Sequence, residues 1–477
     1  MGAWPATWPR SAHFIGVGGV AMSALACLLA RRGVSVSGSD GAIYPPASEM
    51  LTTAGIHLST PFAAAHLDAQ PELVVVGNAI SRGNPELERA LDDALRLCSL
   101  PELIERLIVP GRRVTAVAGT HGKTTTACMA AWLHEACGRS PSFVIGARPG
   151  NFSTGAVLGE GEDLIIEADE YDSAFFDKGA KFLHYWPRIA ILGNVEFDHA
   201  DIYADLDALR RSFALLLRLI PAEGTLIVGA DSPVAEELAQ EARCRVLRFS
   251  SRPEHDLGIL ERVEGEKGQE VSFARAGQPL GRFRLALGGE HNALNALAAL
   301  LAFEAAGGSL ARAAQALATF RGPRRRLELL HRDAETAAYD DFAHHPSAVA
   351  CTLATLRALV PAGGRVVACL EPRSNTMVRA LVQDALLESL SLADVVWLGE
   401  VDRPERFTAA QRLDVAALVS GLREKGREAF GPCVAGEILE GVLSDLRPGD
   451  RIVLMSNGAF GGLPARLRKA LAQRNAP

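Results

Sequence analysis

Residues 114–126, Val-Thr-Ala-Val-Ala-Gly-Thr-His-Gly-Lys-Thr-Thr-Thr, constrain the fold more than any other stretch of the chain. Val114–Ala118 reads as a buried strand. Gly119 and Gly122 make a tight turn, and Thr124–Ala136 carries a helical pattern. A strand that turns at once into a helix leaves the helix N-terminus pointing past the sheet edge, which is a feature of parallel α/β domains. The same stretch has the parts of a phosphate loop: backbone N–H groups of Gly119, Thr120, His121 and Gly122 to wrap phosphate oxygens, Lys123 for the outer phosphates, and the Thr124 and Thr125 hydroxyls. Val117 stands where the pattern GxxxxGK[ST] has its first glycine, so the working motif is Gly119-x-x-Gly122-Lys123-Thr124. As a loop residue, Lys123 is expected to face solvent.

The alternation of apolar runs and helical patterns continues along nearly all 477 residues. Strands are predicted at His13–Val17, Val34–Ser37, Leu73–Val76, Leu164–Ile166, Ile189–Leu192, Thr225–Val228, Arg365–Leu370, Val395–Leu398 and Ile452–Met455, with helices at Asn292–Ala306 and Ala348–Ala358. Val271–Phe273 and Gly281–Leu287 read as an antiparallel patch. Breaks at Pro110–Arg113 and at Arg321–Arg326 divide the chain into three α/β units, 1–110, 111–322 and 323–477.

A second glycine turn follows the first strand. Gly16, Gly18 and Gly19 fit G-x-G-x-x-A, and Asp40 ends the next strand, where an acid accepts from a ribose; a dinucleotide or a sugar nucleotide both suit this geometry. Beside the phosphate loop, two later strands run into acids. Leu164–Ile166 leads to Glu167-Ala168-Asp169-Glu170, where strand alternation puts Glu167 and Asp169 on one face. Ile189–Leu192 leads to Asn194 and Glu196-Phe197-Asp198-His199. Glu167 and His199 are candidate Mg²⁺ ligands.

Composition excludes several classes. The balance of 49 basic and 56 acidic residues gives a net charge of −7, without the basic excess of a nucleic-acid binder. Aromatics are 6%, too few for a stacking platform. The eight cysteines show no CxxC and no pairing rhythm, which suits a reducing cytoplasm. Ser11–Ala30 is free of formal charge, but three glycines in four residues argue for strand, turn and helix rather than a membrane span.

With these residues assembled, the chain resembles the Mur ligase family over essentially its full length. The matches are HFIGVGGVAMSAL, GTHGKTT, EADE, EFDH, the GEHNALN segment Gly289–Asn295, Arg324–Arg326 and the DDFAHHP segment Asp340–Pro346, in the family's order. The resemblance implies a Rossmann-like N-terminal domain for a UDP-sugar (Gly16, Gly18, Gly19, Asp40), a central ATPase domain, and a C-terminal domain that closes on ATP. It implies ATP held at Gly119–Thr125, His291, Asn292, Asn295 and Asp341, and Mg²⁺ at Thr124, Glu167 and His199. It also implies Lys123 on the phosphates and one of Arg325 and Arg326 on the γ-phosphate.

Within the family, GNFSTG, EADEYDSAFFDK, NVEFDHADIY, LEPRSNTM and MSNGAFGG resemble the branch that recycles tripeptide. The implied reaction joins L-Ala-γ-D-Glu-meso-diaminopimelate to UDP-N-acetylmuramate through an acyl phosphate. Arg373 and Asn375 are expected to bind the peptide. The implied protein is a cytoplasmic monomer or weak dimer, with neither nucleic-acid partner nor membrane insertion. Addition of free L-alanine is the alternative inside the family. Outside it, a dehydrogenase leaves the phosphate loop without a task, and a nucleotide switch predicts hydrolysis indifferent to both substrates.

Overall fold

The computed structural model describes residues 8–44 and 47–474; the extreme ends of the first and last units fall outside the described residues. Three large sheets follow one another along the chain, with a two-stranded antiparallel ribbon, Asp172–Ala174 and Asp177–Ala180, as a fourth, smaller one. The first is wholly parallel, in the order His57–Ser59, Ser35–Ser39, Ser11–Ile15, Leu73–Val76, Leu97–Ser99. The order in which strands are added reverses at Ser11–Ile15, so the Gly16 turn opens at the topological switch point of the sheet. The helix after it, Val20–Arg31, buries Met22 through Leu29. This explains the uncharged Ser11–Ala30 stretch, and no helix among the described residues is long and apolar enough to cross a membrane.

The second sheet has ten strands, with Arg113–Ala118 inside it. Its neighbours are Ile189–Leu192 and Asp163–Glu167, both parallel to it. Parallel pairing in matched register puts the carboxyl ends of all three strands at one sheet edge, which brings the acidic segments beside the phosphate loop. The antiparallel patch extends the sheet through Leu257–Gly265, Gly268–Arg275 and Gln278–Leu285. The helices Lys123–Ala136 and Glu290–Ala305 pack on each other in one apolar core. A six-stranded third sheet runs Glu328–Arg332, Ala337–Asp341, Arg451–Met455, Val366–Leu370, Val395–Gly399, Glu428–Cys433, parallel except for its first strand.

The first and second units share a continuous core. The Gly150–Gly155 loop serves the connection to the third unit: Asn151 Nδ2 donates to the Thr319 carbonyl at 3.0 Å and its Oδ1 accepts from Arg321 N–H at 2.7 Å. All eight cysteines are free thiols.

Candidate active site

Gly122 starts the helix Lys123–Ala136 in the left-handed region, φ 80°. A Cβ there would meet Asn295 Oδ1 at 2.6 Å, so the helix Glu290–Ala305 presses against the bare backbone of the loop. Opposite, the Asn194 carbonyl accepts from Thr120 N–H and its Oδ1 from His121 N–H, both at 2.8 Å. The loop is held by backbone and amide contacts on both flanks.

Lys123 does not face solvent. Its side chain is 12% exposed and Nζ donates to Glu170 Oε1 and Oε2 at 2.9 and 2.8 Å, and to the carbonyls of Gly119 and Thr120. Burial alone would lower the lysine pKa, but Glu170 and Asp169 outweigh it and raise it above the ordinary value. Glu170 is fully buried, and its Oε1 is also 2.7 Å from His199 Nε2. Burial opposes protonation of His199, yet that contact with Glu170 prevails and raises its pKa. Glu170 thus ties Lys123 and His199 into one buried ion-pair network.

The alternation argument for Glu167 and Asp169 fails because the strand ends at Glu167. Glu167 Oε1 accepts from Thr124 Oγ1 at 2.5 Å and Oε2 from Gly146 N–H at 2.7 Å. Asp169 turns away to Lys181 Nζ at 2.8 Å. Glu170, whose position in the same acidic run was the available signal, turns inward instead.

The third unit closes over this edge. Thr376 Oγ1 donates to Asp198 at 2.6 Å, Asn375 Nδ2 to Asp201 at 2.8 Å and Ser347 Oγ to Glu196 at 2.5 Å. The two adjacent arginines part company. Arg325 sits 3.3 Å from Asp340 and donates to the Ser456 carbonyl at 2.5 Å, inside its own unit. Arg326 crosses the seam, its NH2 3.5 Å from Thr124 Oγ1. The Asp341 carboxylate accepts from Leu327 N–H, Ala343 N–H and Thr352 Oγ1, and so braces the Arg326 turn.

Asn292 Nδ2 donates to the Gly288 carbonyl at 2.7 Å, and Asn295 Nδ2 lies 3.4 Å from Asn292 Oδ1; the pair shares one helix face at the loop, with Asn292 engaged at the helix start. His291 is held neutral, its pKa lowered to about 4 by burial and by Arg262 and Arg326. At the first glycine turn, Asp40 Oδ2 accepts from Gly18 N–H at 2.9 Å and Oδ1 from Gly41 N–H at 2.8 Å. Asp40 closes the turn from both sides.

A cavity of about 190 Å³ lies between the second and third units, lined by Tyr171, His199, His344, Arg373, Asn375, Arg403 and their neighbours. Arg373 is 42% exposed and 3.7–3.8 Å from Glu371 and Asp402. Arg403 was not anticipated; it stands in a left-handed backbone conformation, φ 48°, in a polar loop with no motif to mark it.

Three family models match in sequence order: "Mur ligase family, catalytic domain" over residues 11–110, "Mur ligase middle domain" over 117–303 and "Mur ligase, glutamate ligase domain" over 325–458. The chain belongs to the Mur ligase family. One relative of this Mur ligase, the UDP-N-acetylmuramate–L-alanyl-gamma-D-glutamyl-meso-2,6-diaminoheptandioate ligase of Escherichia coli (strain K12), is 39% identical over 487 residues, covering 97% of this chain and 98% of that one. The crystal structure of a murein peptide ligase from Psychrobacter arcticus 273-4 superposes with a TM-score of 0.72 at 34% identity, covering 98% of this chain and 100% of that one. The UDP-N-acetylmuramate–L-alanine ligase of Salinispora arenicola (strain CNS-205) is 35% identical over 468 residues, 97% of this chain and 89% of that one.

Proposed function

We propose that this Mur ligase joins the tripeptide L-Ala-γ-D-Glu-meso-diaminopimelate to UDP-N-acetylmuramate at the expense of ATP. Residues 1–110 hold the UDP-sugar at the Gly16-Gly18-Gly19 turn braced by Asp40, residues 111–322 hold ATP, and residues 323–477 close over it and hold the peptide. The observation that carries the reading is the seam cavity. It is lined by two guanidinium groups, Arg373 held loosely and Arg403 paired with Asp402 at 2.6 Å, and by Asn375, whose amide N–H meets Asp201; an acceptor with several carboxylates would compete with these acids for the same donors. The reading is supported by the 39% identity to the E. coli relative across nearly the full length of both chains.

In this reaction the lactyl carboxylate of UDP-N-acetylmuramate attacks the γ-phosphorus, ADP leaves, and an acyl phosphate forms. The tripeptide amine then attacks the acyl carbon and phosphate leaves. A carboxylate is a poor electrophile, so phosphorylation supplies the leaving group, and the protein's task is to orient and neutralise. Lys123 transfers its donors from Glu170 to the outer phosphates, and Arg326 adds its charge from the closing unit. The oxygen pair of Thr124 and Glu167, 2.5 Å apart, suits Mg²⁺, with His199 as a further holder. Bound there, Mg²⁺ would supply charge neutralisation at the phosphates. Closure of the third unit keeps water from the acyl phosphate.

Addition of free L-alanine is the second reading, favoured by the 35% identity to the S. arenicola relative. One carboxylate does not call for two arginines. Mass spectrometry after incubation with ATP, Mg²⁺, UDP-N-acetylmuramate and an equimolar mixture of L-alanine and tripeptide separates the two. The tripeptide adduct is expected to dominate; a product carrying L-alanine alone would sink the proposal.

A further inference from the structure

Three side chains to which the reaction above gives no task meet where the phosphate loop touches the third unit. His121 comes from the loop itself, Glu196 from the segment after Ile189–Leu192, and His345 from the N-cap of the helix Pro346–Leu359. Their ligand atoms all lie within 4.8 Å of one another. Glu196 Oε2 is 3.4 Å from His121 Nε2 and 3.9 Å from His345 Nδ1, and the imidazole centroids are 4.8 Å apart; His345 Nδ1 also accepts a long 3.4 Å hydrogen bond from Ser347 N–H, which ligation would replace. Metal–ligand bonds of about 2.0–2.2 Å in a tetrahedral site hold neighbouring ligand atoms about 3.3–3.5 Å apart, so side-chain adjustments of about 1 Å complete the set.

Two further observations point to a cation. His121 Nε2 is buried, and Glu196 Oε2, a long 3.4 Å away, is the polar partner it faces. A contact that long leaves the buried nitrogen weakly satisfied, and a metal bond would replace it with a stronger one. Ser347 Oγ donates to Glu196 Oε2, fixing the carboxylate as an outer partner does for a metal ligand. Burial and the neighbouring His121 also keep the His345 pKa below its ordinary value, leaving a neutral ring. Two imidazoles and one carboxylate suit Zn²⁺ and its neighbours in softness, whereas Mg²⁺ prefers oxygen ligands of the Thr124–Glu167 kind.

We propose that His121, Glu196 and His345 form a site for one Zn²⁺-type divalent cation, separate from the nucleotide's Mg²⁺, whose occupancy ties the third unit to the phosphate loop. The test uses the full-length, nucleotide-free protein stripped with chelator and titrated with Co²⁺ as a spectroscopic stand-in for Zn²⁺. One equivalent is expected to give the visible absorption of a four-coordinate site, displaced by Zn²⁺ but not by excess Mg²⁺, and Zn²⁺ should raise the melting temperature. Two variants address ligation: His345→Asn, which keeps an acceptor at the helix N-cap, and Glu196→Gln, which keeps an acceptor for Ser347. Each is expected to weaken Co²⁺ binding by about 100-fold or more, at or beyond the upper end of the range for loss of an outer partner. Glu167→Ala should retain the band. Absence of the band at one equivalent, its survival in either ligand variant while that variant is folded, or its loss in Glu167→Ala would each overturn the proposal.

Discussion

Lys123 carries a structural duty as well as a chemical one. The sequence identified it as a phosphate-loop lysine, but its pairing with the fully buried Glu170 depends on a residue 47 positions away. Lys123→Ala should therefore reduce ligation by three orders of magnitude or more and also destabilise the fold by about 3–5 kcal/mol, since a buried carboxylate loses a partner. The double variant Lys123→Ala/Glu170→Gln should recover much of the melting temperature and none of the activity. Equal melting temperatures for wild type and Lys123→Ala would remove the structural half of this claim. Arg325 and Arg326, inseparable in the sequence, should behave differently. Arg326→Ala is expected to lower kcat at least about 100-fold with little change in stability, whereas Arg325→Ala, which strips a partner from Asp340 and Ser456, should lower the melting temperature first. The opposite pattern in paired turnover and thermal-melt measurements would reverse the assignment.

At the scale of the element, the phosphate loop is bounded by two packed structures. Gly122 needs both its left-handed φ of 80° and its missing Cβ, because Asn295 Oδ1 stands 2.6 Å from where that Cβ would be. Gly122→Ala should cost about 1–2 kcal/mol from backbone conformation alone. It should also weaken ATP binding measurably by calorimetry; an unchanged Kd would mean that the helix Glu290–Ala305 does not shape the loop. The segment 371–376 follows the strand Val366–Leu370 into the seam cavity. Arg373 lies there only loosely paired with acids, free to take a ligand carboxylate. Arg373→Ala is expected to lower kcat/KM for the tripeptide by about 10-fold or more, the scale of a lost charged hydrogen bond of about 1.5–3 kcal/mol, with UDP-N-acetylmuramate and ATP kinetics little changed. Untouched tripeptide kinetics would move the peptide site elsewhere.

For the whole molecule, closure depends on polar contacts across the seam, and two imidazoles near it are held neutral. His291 and His344 both have pKa values lowered to about 4, in each case chiefly by burial. Between about pH 4 and the unfolded histidine value near 6.5, the unfolded chain binds more protons than the native one, so stability rises with pH through this window and is lost as pH falls. Each group should contribute on the order of 1 kcal/mol of that slope after solvent screening. His344→Asn is expected to flatten the melting temperature between pH 4 and 6.5, and an unchanged slope would refute its share.

The three-unit α/β succession, the phosphate loop and the strands that end in acids were legible in the sequence, because strand and helix periodicity and glycine turns are local properties of the chain. Strand edges shifted by one or two residues, as at Ser11–Ile15 for a predicted His13–Val17. What the chain could not declare locally was which polar atoms face each other once distant strand ends share an edge. Glu170 rather than Asp169 meets Lys123, because the strand stops at Glu167 and alternation lapses there. Arg326 rather than Arg325 crosses the seam, because Arg325, at φ 60°, is spent on Asp340 and Ser456. Asp40 and Asp341 have a local duty that no motif announced: they satisfy backbone N–H groups that the folded turns would otherwise leave without acceptors. Arg403 and the His121–Glu196–His345 cluster join residues from separate segments, and only the closed arrangement of the units brings them to one place.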